Sequence, residues 1–151
     1  MKTRLALAQI NVTVGDFAGN VARIVAAARA AHNDGAQLMV APELALSGYP
    51  PEDLLLRPAF YAAAASALAA LADALKAFDG LAVLVGHPLR GPGRGPGSGA
   101  GADPHAPAVD GNANRPIERG VPPTDTFNAV SLIVGGAIVG TYRKQDLPNA
   151  E

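Results

Sequence analysis

Up to position 90 the apolar residues alternate between short unbroken runs and stretches where they recur at three- and four-residue steps. Residues 4–10, RLALAQI, bounded by Asn11 and Gly15, predict a first and mostly buried strand. Val21, Ile24, Val25, Ala28 and Ala31 then fall on one helical face, and Gly35 stands where a left-handed C-terminal cap is expected. Residues 36–41, AQLMVA, form a continuous apolar run, as expected of a second strand covered on both faces. Strand, helix and strand at this spacing predict a βαβ unit with parallel strands.

Pro58 suits a first helical turn, so a second helix is expected from there to about Phe78. Its core stripe is Phe60, Ala64, Leu68, Leu71, Leu75 and Phe78. Asp79-Gly80 ends it, and LAVLVG at 81–86 predicts a third buried strand. The pattern then breaks. Residues 91–123 hold eight Gly and seven Pro with almost no large apolar side chain, too little to offset the entropy of ordering, and read as a disordered insertion. Within it, Gly95-Pro-Gly97-Ser-Gly99-Ala100 formally matches a dinucleotide-binding fingerprint, but no helix follows to hold a phosphate. Strand-like runs resume at 127–134 and 137–144, joined by Gly135-Gly136, which predicts a hairpin. The expected class is α/β, one domain made of residues 1–90 and 124–151 around the insertion.

Composition narrows the function classes. With 49% hydrophobic and 17% charged residues and a net charge of −1, the chain offers no electrostatic reason to bind nucleic acid or an anionic membrane. The N-terminal apolar run, broken by Gln9 and Asn11, is too short for a signal peptide, and no segment is read as reaching transmembrane length, so a cytoplasmic location is expected. There is no cysteine, hence no disulfide, thiolate metal site or sulfur nucleophile within this sequence. His32, His87 and His105 are isolated from other ligand types at metal spacing, so no metal site is expected.

Two residues stand where chemistry is possible. Pro42 biases Ala41 toward extended geometry, so Glu43 should emerge at the carboxyl end of the second strand, the edge where open α/β sheets bind ligands. A helix-capping or ion-paired glutamate would look the same. Lys144 closes the apolar run AIVGTY next to Arg143, and alternation sends those two side chains to opposite faces. One of them can stabilise an oxyanion or a neighbouring charge, although position by itself favours a solvated basic strand end. Tyr49, in the loop leaving Glu43, could wall a substrate pocket, whereas Tyr142 reads as packing.

Several stretches together resemble the amino-terminal glutaminase part of glutamine-dependent NAD synthetases, a branch of the nitrilase superfamily. They are RLALAQINVTVGDFAGN at 4–20, PELALSGYPPEDLLLR at 42–57, LVGHP at 84–88, FNAVSLI at 127–133 and YRKQDLPN at 142–149. The resemblance implies a partial αββα, nitrilase-like sandwich with a mixed sheet, in which Glu43 matches the general base and Lys144 the lysine of a Glu-Lys-Cys triad, and Tyr49 a pocket tyrosine. It implies glutamine as substrate, attacked by a thiolate to give ammonia and a glutamyl thioester that water hydrolyses. It further implies a synthetase domain using ATP and magnesium to adenylate deamido-NAD, and a homo-oligomer for the full-length enzyme. The chain stops at Glu151, before the family's cysteine strand and the ATP-using domain, and so reads as a truncation or frameshift product, with no cofactor of its own and no activity alone. The half sandwich would leave an edge or apolar face open to aggregation. The alternatives are a fragment of another nitrilase-type C–N hydrolase and a non-catalytic α/β binding module.

Overall fold

The computed structural model describes residues 2–91 and 126–145, so the expected disordered insertion at 91–123 lies, apart from Gly91, outside the described residues. The described residues build one five-stranded sheet in the order β1-β2-β3-β4-β5, comprising β1 (Leu5–Leu7), β2 (Leu38–Val40), β3 (Ala82–Arg90), β4 (Thr126–Val134) and β5 (Ala137–Arg143). β1, β2 and β3 run parallel, while β4 and β5 return antiparallel, giving the mixed sheet expected from the sequence. Two helices, α1 (Phe17–Asn33) and α2 (Pro58–Leu75), supply the crossovers and cover one face.

Each helix begins and ends for a local reason. The Asp16 carboxylate accepts a hydrogen bond of 2.9 Å from the Gly19 amide, capping α1. At its other end Gly35 takes φ +72°, in the left-handed region where a side chain would be strained. Pro58 opens α2. Between Glu43 and α2 a short 3-10 helix spans Glu52–Leu56, which the apolar pattern had not indicated, and the Tyr61 hydroxyl donates to the Leu55 carbonyl at 2.9 Å to fasten it to α2.

The strand lengths depart from the sequence in a consistent direction. β1 and β2 keep only three paired residues each, because parallel pairing of Leu5–Leu7 with Leu38–Val40 is short. β3 runs on past the expected end at 86 to Arg90, because antiparallel pairing with β4 extends from Ala82↔Val134 to Arg90↔Thr126. α2 stops at Leu75 rather than Phe78, yet the turn that follows still buries Phe78. The expectation that no segment reaches transmembrane length is also corrected: α2 is long and apolar enough to cross a membrane by length and composition. In this fold its Phe60, Ala64, Leu68, Leu71 and Leu75 are instead buried in the core, packed toward α1 and β3.

Ile24, Met39, Leu46, Leu71, Val83, Val85 and Ile133 form the centre of that core. Among the described residues nothing covers the opposite face of the sheet. Leu5 and Leu7 are 53% and 72% exposed, and Leu84, Val130 and Leu132 line a hollow of about 430 Å³ with Tyr142. This is one helix-covered half of a sandwich, as the partial αββα expectation holds.

Asn20 is a fully buried polar residue of α1 that ties two loops together. Its carboxamide accepts from the Thr13 amide at 2.9 Å and donates to the carbonyls of Thr13 at 2.8 Å and Leu46 at 3.2 Å. Asn20→Ala is expected to strand the buried Leu46 carbonyl and cost about 2 kcal/mol. Urea unfolding of the two chains measures this, and a difference below about 0.5 kcal/mol would show that water replaces the amide.

Candidate functional site

Sheet topology brings the end of β2 and the end of β5 to one rim. β5 is antiparallel to β4 and β4 to β3, so β5 points the same way as β2 and β3, and the carboxyl ends of all three lie together. Glu43 and Lys144 are nevertheless separated by two intervening strands. The gap closes because the chain after β2 bends across β3.

That bend has three visible causes. Leu44 takes φ +51°, a left-handed conformation costly for a leucine and typical of a backbone held by its surroundings. The Ala45 amide donates back to the Pro42 carbonyl at 3.1 Å, the Gly48 amide to the Leu44 carbonyl at 2.9 Å, and the Leu46 amide to the Gly86 carbonyl of β3 at 3.1 Å. Gly86 makes the crossing possible: a Cβ there would stand 2.5 Å from the Leu44 nitrogen and 3.0 Å from the Pro42 carbonyl oxygen.

Carried over β3 in this way, the Glu43 carboxylate meets both remaining strands. The Lys144 ammonium donates to Glu43 Oε1 at 2.8 Å, linking residues 101 positions apart. The Asn128 carboxamide of β4 donates to the same oxygen at 2.6 Å, and the Asn128 carbonyl receives the Lys144 amide at 2.8 Å. With Ala41, Pro42, Gly86, Ala129, Val130 and Tyr142, these residues line an open cleft of about 320 Å³. The Glu43 and Lys144 side chains are 49% and 42% exposed, so their ion pair adds at most about 1 kcal/mol to stability. Its value is positional.

The Lys144 hydrogen bond, followed by that from Asn128, holds the Glu43 carboxyl below the ordinary glutamate range, with slight burial opposing. The carboxylate is therefore ionised at neutral pH. A glutamate beside a lysine and an amide can accept a proton from an acidic nucleophile, and the ammonium can stabilise negative charge developing nearby.

Of the three residues singled out from sequence, the structure joins Glu43 and Lys144 and leaves Tyr49 apart. Tyr49 is 63% exposed and does not line the Glu43 cleft; Tyr142, read as packing, does. Arg143, sent to the other face as alternation requires, lies over the Phe127 ring at 4.7 Å. Sequence reasoning missed Asn128, whose only signal is a polar residue at the start of an apolar strand. It also passed over Gly86, although a glycine inside a strand run is a recognised sign of close backbone approach.

His87, adjacent to Gly86, points into the core at 2% exposure. Its Nδ1 lies 3.2 Å from the Pro88 carbonyl, which can only accept, so Nδ1 carries the proton. Nε2 then accepts from the Ser131 hydroxyl at 2.8 Å, and Ser131 accepts from Thr141 at 2.8 Å, a chain of hydrogen bonds across β3, β4 and β5. Burial lowers the His87 pKa, with the Pro88 carbonyl opposing. For both Glu43 and His87 the folded pKa lies below the unfolded one, so each contributes stability that is fully present above its unfolded pKa and is lost as pH falls. Unfolding free energy measured in urea is expected to decline from about pH 6.5 downward as His87 of the unfolded chain begins to take up a proton that the folded chain refuses, and further below about pH 4.5 as Glu43 of the unfolded chain does the same. Glu43→Gln should leave the upper component and reduce the lower one, to which Asp16 and Asp73, also held below the ordinary aspartate range, contribute as well, and a wild-type profile that rises on acidification would contradict both assignments.

The sequence model of the carbon-nitrogen hydrolase family matches residues 4–151. The chain is 34% identical over 148 residues to a glutamine-dependent NAD(+) synthetase of Thermotoga maritima, covering 98% of this chain and 20% of that protein. It is 36% identical over 147 residues to the Xanthomonas campestris protein of the same name, covering 97% of this chain and 20% of that one. It thus spans about a fifth of the length of these curated relatives. Among solved structures, a glutamine-dependent NAD(+) synthetase from Cytophaga hutchinsonii superposes with a TM-score of 0.69 at 25% identity, over 97% of this chain and 20% of that one. An amidase from Nesterenkonia sp. shares the fold at 22% identity with a TM-score of 0.69, over 98% of this chain and 44% of that one.

Proposed function

Since the chain belongs to the carbon-nitrogen hydrolase family, we propose that it is the amino-terminal portion of a glutamine-hydrolysing site that supplies ammonia within a glutamine-dependent NAD synthetase. The observation that carries this reading is the Glu43–Lys144 contact of 2.8 Å, made in a chain 34% identical across 98% of its length to a protein bearing that name.

In this reading the cleft beside Glu43 receives the side-chain amide of glutamine. Glu43 takes the proton of a thiol, the thiolate attacks the amide carbon, and Lys144 stabilises the tetrahedral oxyanion before ammonia leaves. The 151-residue sequence contains no cysteine, so the thiol must come from elsewhere and this polypeptide alone hydrolyses no glutamine. ATP and magnesium are what the rest of such an enzyme would use on deamido-NAD. No step involving them is assigned to this chain.

The test is a chimera in which residues 1–145 replace the matching segment of the Thermotoga maritima relative. Ammonia release that depends on glutamine is expected. A folded chimera that releases none, or that prefers simple aliphatic amides to glutamine, would sink the reading.

A further inference from the structure

The residue that the functional reading leaves without a role is Asn128. It stands at the start of β4, its carboxamide 2.6 Å from Glu43 Oε1 and its carbonyl 2.8 Å from the Lys144 amide nitrogen. A carboxylate only accepts, so the carboxamide must turn its NH₂ toward Glu43. Lys144 Nζ, at 2.8 Å, donates to the same Oε1. Among the described residues no donor reaches Oε2.

Among the described residues two donors hold one oxygen and none the other, and the carboxylate they leave is asymmetric. We propose that Asn128 is a positioning residue for Glu43: with Lys144 it clamps Oε1, fixes the plane of the carboxylate, and leaves Oε2 as the oxygen that receives the proton. The role rests on the reading of Glu43 as the base. In the proton transfer the S–H bond of the incoming thiol breaks, the proton bonds to Oε2, and the electron pair stays on sulfur as thiolate.

Lys144 alone could not do this as well. Its ammonium sits on a flexible four-carbon stem and can follow either oxygen, whereas the Asn128 side chain is short and springs from a strand paired on both sides. Asn128 also sets the height of Lys144, because its own carbonyl anchors the Lys144 backbone.

The test is a titration followed by NMR on the 151-residue chain, with the Glu43 side-chain carboxyl carbon and the Asn128 side-chain amide as probes. In the wild type the Asn128 amide signals are expected to move with the same midpoint as the Glu43 carboxyl. In Asn128→Ala the Glu43 midpoint is expected to rise, and in Asn128→Asp, where a like charge replaces the donor, to rise further. A wild-type Asn128 amide that stays flat through the Glu43 transition would overturn the proposal, and so would a folded Asn128→Ala chain with an unchanged Glu43 midpoint. Should Asn128→Ala fail to fold, the wild-type amide decides by itself.

In the chimera, Asn128→Ala is expected to move the acid limb of the kcat/KM profile to higher pH; a uniform loss at all pH values would indicate structure alone and count against the positioning role. The titration needs no thiol. A chimera inactive on glutamine therefore defeats the functional reading and leaves the Asn128–Glu43 clamp standing, while a flat amide defeats the clamp and leaves the glutaminase reading untouched.

Discussion

Glu43→Gln, placed in the chimera with the Thermotoga maritima relative, is expected to lower glutamine hydrolysis by about 10²–10⁴-fold, the usual contribution of a general base. The substitution is nearly isosteric. Its carbonyl oxygen can still accept from Asn128 and Lys144, so the clamp on the side chain survives while the capacity to take a proton is lost. Stability should change little, because the ion pair it removes is half exposed and contributes at most about 1 kcal/mol. Ammonia release at saturating glutamine, read beside a thermal unfolding curve, separates the two effects. Retention of most of the activity would show that another group takes the proton.

Gly86→Ala is expected to be strongly damaging, although it adds a single methyl group. The new Cβ would lie 2.5 Å from the Leu44 nitrogen and 3.1 Å from the Glu43 carbonyl carbon, both backbone atoms that cannot rotate away. The loop cannot lift without breaking the Leu46–Gly86 hydrogen bond of 3.1 Å, and Leu46 is itself fully buried. Overpacking of this kind costs about 3 kcal/mol. The same displacement would draw Glu43 away from Asn128 and Lys144, so in the variant the Glu43 titration should move up toward the ordinary glutamate range. An alanine accepted at a cost below about 1 kcal/mol, with the Glu43 titration unmoved, would show that the crossing loop is not held against β3.

The two predictions share one physical root, the passage of residues 42–48 over β3. Glu43→Gln leaves that passage intact and removes only the carboxylate it delivers. Filling Gly86 attacks the passage itself. A comparison of the two variants therefore separates loss of chemistry from loss of placement.

The sequence alone determined the strands and the two long helices, though not the 3-10 helix at Glu52–Leu56, because burial imposes a period on the residues that form them. The apolar runs located all three parallel strands, the three- and four-residue spacing located both helices, and Gly135-Gly136, with φ of +56° and +81°, located the hairpin turn. The lengths of β1, β2 and β3 were not legible, since pairing with a neighbour ends a strand and the neighbour is remote in sequence. Glu43 and Lys144 could be named as ends of strands, but whether they met was a question of strand order and of one crossing loop, which only the fold answers. Asn128 and Gly86 acquire meaning solely from what lies across from them, and Tyr49 and Tyr142 are told apart by which of them borders the cleft. Periodicity records which face a residue turns to the core; it carries no record of which distant backbone comes to rest above it.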